Sequence, residues 1–365
     1  MNPLKSISQV RFFLRSNFSQ MIRPKTFHTA INTQTSSGKP LQFWKWTKRV
    51  GMGLGALGIS GALYQTISTQ IDARKYPPIG TLIDMGGYNI HLHATGTGGP
   101  TVILDAGLGC SALSWSLVQS EIARFTHVVS FDRPGNGWSD ESPLPRTSQN
   151  IVTELHTALE KAGIAGPYIF VGHSFGGIDA QLFANLFPNQ TLGVILVDSS
   201  HKDQREKMDP PPELNHTIMM LASRLGIVRL FMHRPIYKQS LAPFPGPIQN
   251  QLLAQYQTTK FMNTVLQETS HLGTSYNQLK ATTNHLSDKP LTVITALKKM
   301  PAEGSGYTEA QIDAFYNVFQ VLQKDLVTYS TQGKQVFAES DHMIPLHQPQ
   351  IIVDAVKEMI DGLSK

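Results

Sequence analysis

The chain has 365 residues, 41% hydrophobic and 16% charged, a composition that fits one large globular domain with an insertion, or two domains. Its single cysteine, Cys110, excludes an intrachain disulfide and a metal site built from cysteines alone. The net charge of +5 is unevenly placed, because nine of the 31 basic residues and none of the 26 acidic residues lie within residues 1–71. The rest of the chain has a balance of −4, which gives no electrostatic support to nucleic-acid binding.

The N-terminal part of the chain divides into a basic, acid-free leader over residues 1–49 and an uncharged, mostly apolar stretch over residues 50–71. Gly58 and Ala62 have the four-residue spacing of close helix contacts in lipid, and two tryptophans and three basic residues directly precede the apolar stretch. We therefore predict a single-pass membrane anchor with the following domain on the far side. An organelle transit peptide, a cleaved secretory signal and a disordered tail are the alternatives.

Within this apolar stretch, GLGALG (53–58) matches the glycine pattern of dinucleotide-binding turns. That function needs a preceding strand, so that the turn brings phosphate to the N-terminus of a helix. Here the stretch FWKWTKR precedes the glycines, and no acidic residue follows about 20 positions later in a strand context. We interpret the glycines as part of the anchor and predict no cofactor.

From residue 72 onward the chain alternates between short β-rich runs and helix-like segments. A hairpin is predicted around Gly86 and Gly87, because two short alternating runs flank them. Compact β-rich runs follow at 100–107 and 127–137, and then in YIFV and LGVILVDSS, with amphipathic segments between them. Alternation of this kind predicts an α/β fold with a mostly parallel, doubly wound sheet covered by helices on both faces.

The alternation stops between His201 and Lys289, where prolines cluster and runs of helical period occur. The stretch is too long for a loop and interrupts a series of strands, so we predict an inserted helical cap over 201–285. Strand and helix signals resume with PLTVITAL and continue to the C-terminus. The core is accordingly predicted to comprise residues 72–200 and 286–365.

The sequence YIFVGHSFGG places Ser174 between glycines at the junction of a buried strand and a helix. This is the pattern of a nucleophile elbow, in which a sharp turn lifts the serine Oγ above the edge of the sheet. The turn brings backbone segments close together, so Gly172 and Gly176 must lack side chains. We predict Ser174 to be a catalytic nucleophile.

These motifs, in this order, resemble the α/β-hydrolase fold family of the serine hydrolase type, over about residues 82–363. DAGLGCSALSW occupies the position of the family's oxyanion loop, FDRPGNGWSD matches its strand-to-loop motif, and GHSFGG its elbow. Within the family, the chain specifically resembles bacterial-type members with an N-terminal membrane segment. The resemblance is specific for the fold and much less so for the substrate.

The resemblance implies a base and an acid that follow the serine in the chain. His342 lies after the last strand, where the family carries its base, although Asp341 stands where a glycine is usual. His347 is the competing base. The acid is either Asp198, 24 residues after the serine as in one subset of the family, or Glu303, which lies beyond the strand that follows the cap.

The resemblance also assigns the oxyanion hole to the backbone N–H groups of Leu108 and Phe175. His173 and His201 are given no role, and Trp115 and Trp138 are interpreted as core or pocket-wall residues.

The predicted reaction is hydrolysis of an ester-type substrate, of the carboxylesterase or lipase kind, through an acyl-enzyme. No metal constellation is visible in the sequence. An amide or thioester substrate, or a binding protein with an idle site, is the alternative. The apolar residues of the cap and the anchor favour a small-molecule or lipid-like ester as the partner.

Overall fold

The computed structural model describes residues 40–208, 215–282, 286–299 and 307–364. It contains one eight-stranded sheet with the order β1-β2-β4-β3-β5-β6-β7-β8. β1 and β2 form the predicted hairpin and are antiparallel, and β2 also pairs with β4 in the antiparallel sense. The six strands β3 to β8 are parallel to one another. The strands are β1 Thr81–Asp84, β2 Asn89–Thr95, β3 Thr101–Asp105, β4 Val128–Phe131, β5 Tyr168–His173, β6 Thr191–Val197, β7 Leu291–Ala296 and β8 Gly333–Ala338.

Helices precede, cover and interrupt the sheet. Their bounds, in chain order, are α1 Pro40–Lys75, α2 Ser116–Ile122, α3 Ser148–Lys161, α4 Gly176–Leu186, α5 Gln204–Lys207, α6 His216–Arg224, α7 Ile227–Met232, α8 Pro235–Ser240, α9 Gly246–Tyr256, α10 Thr259–Ser270, α11 Leu272–Lys280, α12 Glu309–Val327, α13 Ile344–His347 and α14 Pro349–Leu363. Two short 3-10 helices, Ala112–Trp115 and Pro188–Gln190, complete the secondary structure of the described residues.

The sheet is buried on both faces, as the alternation of strands and helices predicts. Every residue of β3, β4, β5 and β7 is buried, so these strands form continuous apolar runs instead of alternating ones. One apolar cluster joins α3 and α4 to one face of the sheet, and a second joins α2 and α14 to the other. The fold is therefore doubly wound, and the carboxyl ends of its parallel strands share one edge, where such folds place their sites.

Seven helices, α5 to α11, lie between β6 and β7, and we call the described residues from Gln204 to Lys280 the cap. Phe261 and Val265 of α10 lie beside Gly109 in the loop after β3, which places the cap over the carboxyl edge of the sheet. The bounds chosen above for core and cap stay a prediction.

α1 is one continuous helix of 36 residues, and residues 46–75 are long and apolar enough to cross a membrane. Its residues 48–57 are exposed, whereas one face of its second half packs on the cap. Gly58 and Gly61 lie against Leu225, and a Cβ built on Gly61 would be 2.6 Å from the Leu225 carbonyl oxygen. Gly58, predicted to contact another helix in lipid, thus faces a protein surface.

A buried polar cluster fastens α1 to the cap. Arg229 of α7 is 3% exposed and binds the Asp72 carboxylate at 2.5 Å and the Gln257 side-chain oxygen at 2.9 Å. Gln65, which lies inside the predicted anchor, donates to the Gln257 carbonyl oxygen at 2.7 Å. The docked half of α1 is therefore bound to the cap by specific polar contacts as well as by apolar packing.

Candidate active site

Ser174 lies at the tip of a tight turn between β5 and α4. Its φ is 55°, a left-handed value that is uncommon for a residue with a side chain and is often found where a site imposes strain. A Cβ on Gly172 would come within 2.3 Å of the Gly176 carbonyl oxygen, and one on Gly176 within 2.4 Å of the Asp105 carbonyl oxygen. The turn can therefore form only with glycine at both positions.

His342 connects Ser174 to Asp198. Its Nε2 is 2.9 Å from the Ser174 Oγ, and its Nδ1 is 2.6 Å from Oδ2 of Asp198. The carboxylate can only accept at neutral pH, so we assign the ring proton to Nδ1, which leaves Nε2 to accept the serine proton. Ser174 is 1% and Asp198 3% exposed, whereas the His342 side chain between them is partly exposed.

Asp198 follows β6 and is held on both sides by backbone groups of β7. Its N–H donates to the Ile294 carbonyl oxygen at 2.7 Å, and its Oδ1 accepts from the Ala296 N–H at 3.0 Å. Its φ is 41°, again in the left-handed region. The structure thus brings Asp198 to His342, whereas the alternative acid, Glu303, lies outside the described residues.

Hydrogen bonds connect the loop that carries His342 to the elbow and to the residues that follow the loop. His173 Nε2 is 2.8 Å from the His342 carbonyl oxygen. Asp341, found where the family usually has a glycine, accepts from the Met343 N–H at 3.0 Å and lies 2.7 Å from His347 Nδ1. The departure from the family pattern therefore closes this loop, and the competing base His347 is bound to Asp341.

The loop after β3 runs directly beside the serine. A Cβ built on Gly107 would lie 3.4 Å from the Ser174 Cβ, which puts this backbone within reach of a substrate carbonyl on Ser174. Leu108 in this loop is 7% exposed, and Phe175, the residue after the serine, is fully buried. Two backbone N–H groups that flank a serine can hold a developing oxyanion.

The family model described as the alpha/beta hydrolase family matches residues 102–355, which include β4 to β8, all of β3 but its first residue, the cap and the site residues described above. The chain belongs to the alpha/beta hydrolase family. Membership of this family supports a hydrolytic reaction and leaves the substrate open.

One curated relative matches part of this chain. The uncharacterized protein YbdG of Bacillus subtilis (strain 168) is 27% identical over 161 residues, or 42% of this chain and 50% of that protein. The matched region thus spans about half the length of that curated relative.

Two solved structures show the same fold. A probable hydrolytic enzyme from Pseudomonas aeruginosa PAO1 has a TM-score of 0.58 and 19% identity, covering 78% of this chain and 94% of that one. The enol-lactonase from Burkholderia xenovorans LB400 has a TM-score of 0.52 and 15% identity, covering 77% and 100%. At these identities the likeness concerns the fold alone.

A buried ionic cluster lies behind the loop after β3, which the sequence predicts to be the oxyanion loop, and sequence reasoning missed this cluster. Arg133 is 1% exposed and donates to Glu268 of the cap at 2.9 Å and to Asp105 at 2.6 Å. Burial alone would lower the pKa of Arg133, but the Glu268 and Asp105 carboxylates raise it above its ordinary value. Burial raises the pKa of Asp179 well above its ordinary value, and the neighbouring Asp105 raises it further.

The other residues singled out in the sequence have structural positions. His201 binds Asp325 at 2.9 Å and the Tyr329 hydroxyl at 2.7 Å, and its burial lowers its pKa. Trp115 is buried in the core, and Trp138 donates to the Tyr76 carbonyl oxygen at 2.9 Å. Across the described ranges, no group of three His, Cys, Asp or Glu side chains is arranged to hold a metal ion.

Proposed function

We propose that this protein is a serine hydrolase that cleaves a carboxylester or lipid-like ester through an acyl-enzyme. The observation that carries the proposal is the pair of short contacts made by His342, 2.9 Å to the Ser174 Oγ and 2.6 Å to the Asp198 carboxylate. A serine hydroxyl is a weak nucleophile at neutral pH and needs a base in contact with it, and a base needs an acid that orients its ring.

In the proposed reaction, the Ser174 Oγ attacks the ester carbonyl carbon while its proton moves to Nε2 of His342. The negative charge that forms on the carbonyl oxygen is stabilised by the backbone N–H groups of Leu108 and Phe175. When the carbon–oxygen bond of the ester breaks, His342 returns the proton to the departing alkoxide, which leaves as an alcohol. Water, deprotonated by His342, then attacks the acyl group, and Ser174 recovers its proton.

The elbow geometry and family membership support a hydrolase, while the ester assignment depends on the serine nucleophile and on the apolar cap. A lactone is a cyclic ester, so the enol-lactonase of the same fold is consistent with this substrate class. An amide or thioester substrate would contact the same serine, histidine and backbone N–H groups. A non-catalytic binding protein is the alternative function.

The first test is labelling with a fluorophosphonate probe, which reacts covalently with activated serines. We expect the full-length protein to be labelled, Ser174→Ala to be unlabelled, and His342→Ala to react at least about 10³-fold more slowly. His347→Ala is the matched control, because its imidazole binds Asp341 and lies outside the serine contact. Hydrolysis of p-nitrophenyl esters of increasing chain length would then define the acyl preference.

A folded parent protein that neither reacts with the probe nor hydrolyses any ester in the series would contradict the catalytic proposal and favour a binding role. Circular dichroism establishes that each variant is folded, so that a loss of labelling is not a loss of structure.

We further propose that α1 attaches the protein to a membrane, as a single-pass anchor with the catalytic domain on the far side. Its exposed residues 50–57 are uncharged, and Trp44 and Trp46 precede them. A full span over residues 46–75 requires the second half of α1 to leave the cap. Resistance of the full-length protein to alkaline carbonate extraction would support the anchor. A shortened N-terminus in the mature protein would favour a transit peptide.

A further inference from the structure

The ionic cluster behind the oxyanion loop contacts both backbone segments that would form the oxyanion hole. The Arg133 guanidinium donates to two successive carbonyl oxygens of the loop, that of Ala106 at 2.5 Å and that of Gly107 at 2.7 Å. Its Cζ also lies 5.4 Å from the centre of the Phe175 ring, in the range of a cation–π contact. One side chain thus touches the loop that carries one N–H donor and the residue that carries the other.

The contact with the Gly107 oxygen has a direct consequence for Leu108. The Gly107 carbonyl and the Leu108 N–H belong to one planar peptide unit, and this bond is trans. In a trans peptide the two groups point in opposite directions. Because Arg133 holds the carbonyl end, the Leu108 N–H is directed away from the cluster. A cation bound to the carbonyl oxygen also polarises the peptide, which strengthens its N–H as a donor.

The next peptide unit is held in the opposite sense. The Gly109 N–H donates to Glu268 Oε2 at 3.2 Å, so here the N–H end faces the cluster. The two peptide units are joined at Leu108, so the φ and ψ angles of Leu108 set their relative orientation. Two contacts from the cluster therefore fix the peptide planes on either side of Leu108.

Glu268 belongs to α10 of the cap and is fully buried. Its Oε1 accepts from Arg133 Nε at 2.9 Å and from the Asn136 side-chain amide at 3.0 Å. Arg133 can therefore take its present orientation, with both terminal nitrogens turned to the loop, when the cap is seated and supplies this carboxylate.

We propose that Arg133 and Glu268 are positioning residues that orient and polarise the Gly107–Leu108 peptide for oxyanion binding, so that the hole is complete only with the cap in place. This inference rests on the serine hydrolase function proposed above. It assigns no reacting role to either side chain, and it makes the cap part of the catalytic arrangement as well as a cover.

The test uses the full-length protein, an ester that the parent hydrolyses and a trifluoromethyl ketone, whose adduct with Ser174 places an oxyanion in the hole. Glu268→Gln keeps the shape and one acceptor oxygen. Arg133→Lys has three donors on a single nitrogen and cannot reproduce the four contacts of the guanidinium with Glu268, Asp105 and the two carbonyl groups. For both variants we expect kcat to fall about 10- to 100-fold with little change in KM, because the donor is displaced only in its orientation. The affinity for the ketone should fall by a similar factor.

Glu154→Gln is the matched control. Glu154 forms a buried ion pair with Arg146 at 2.9 Å, and this pair lies away from the oxyanion loop. Loss of this pair should lower the thermal unfolding temperature without changing kcat. Glu268→Asp serves as the milder variant if Glu268→Gln fails to fold, and its shorter side chain should also lower kcat and ketone affinity together.

The outcomes separate the two proposals. If the parent reacts with the fluorophosphonate and folded Glu268→Gln and Arg133→Lys keep kcat and ketone affinity within about twofold, the positioning role is wrong and the serine hydrolase function stands. If both variants lose stability as Glu154→Gln does, while kcat and ketone affinity stay unchanged, the role of the cluster is structural only. If the parent itself shows no activated Ser174, the failure belongs to the proposed function.

Discussion

The packing of the α/β core and the attachment of helix α1 to the cap differ in the kind of contact they use. The core buries continuous apolar strands under helices on both faces, and it supplies Ser174, Asp198 and His342 from loops at one edge of the sheet. The cap and α1 are joined by a cluster of polar groups around Arg229. Apolar packing thus holds the core together and also joins the cap to it, whereas the attachment of α1 to the cap includes a few specific polar contacts.

This difference matters energetically. Apolar packing tolerates substitutions that conserve volume, since each contact contributes little by itself. A buried charge that loses its partner costs much more, because the charge that remains is neither hydrated nor paired. We therefore expect substitutions at the site to change rates, and substitutions between α1 and the cap to change stability.

The largest effect is expected from the acid in the core. Asp198→Asn should lower kcat about 10⁴-fold, because an amide in contact with Nδ1 favours the wrong tautomer of His342. Ester hydrolysis measures this directly, and Glu303→Gln serves as the comparison for the alternative acid. A large loss in Glu303→Gln together with a small one in Asp198→Asn would reverse the assignment.

The contrast with the cap can be tested at Arg229. Arg229→Met should destabilise the docked assembly by about 3 kcal/mol, because Asp72 and Gln257 would lose a charged partner in a largely buried place. Urea unfolding and limited proteolysis of α1 report this loss. Arg224→Met, at an exposed position on the neighbouring helix α6, is the control. Equal midpoints and equal cleavage in the two variants would show that the polar cluster does not hold α1.

A smaller effect distinguishes the two halves of α1. Gly61→Ala should destabilise the protein by about 1–3 kcal/mol, since its Cβ would lie 2.6 Å from the backbone oxygen of Leu225. Gly55→Ala, in the exposed half with nothing within 4 Å, should leave stability unchanged or raise it by up to about 1 kcal/mol. Thermal unfolding of both variants gives the comparison. Similar shifts would mean that α1 does not approach the cap so closely.

The sequence was sufficient for the core because its signals are local. Buried strands such as Val128–Phe131 read as compact apolar runs, and the Gly86–Gly87 turn marks the hairpin. The doubly wound sheet follows from their alternation with helices. Docking of Gly61 on Leu225 could not be predicted, because small residues in a helix have the same spacing whether they face lipid or protein.

For the site, motif position and family resemblance led to Ser174 and His342, and the structure puts these two side chains in contact. The choice between Asp198 and Glu303 depended on which strand end lies beside His342, and that is a property of the sheet order. Arg133 and Glu268 gave no signal, since residues 135 positions apart become partners only when the cap is seated.

The long sequence separation between the members of the polar cluster that fastens α1 also sets the delay, during synthesis, between α1 and its partner in the cap. Asp72 and Arg229 are 157 residues apart, which a ribosome covers in roughly 10–30 s at ordinary synthesis rates. α1 has left the exit tunnel well before the cap residues that cover its second half have been made. Throughout that interval the face of α1 that later packs on the cap is accessible to a lipid bilayer or a chaperone, because its own protein partner does not yet exist.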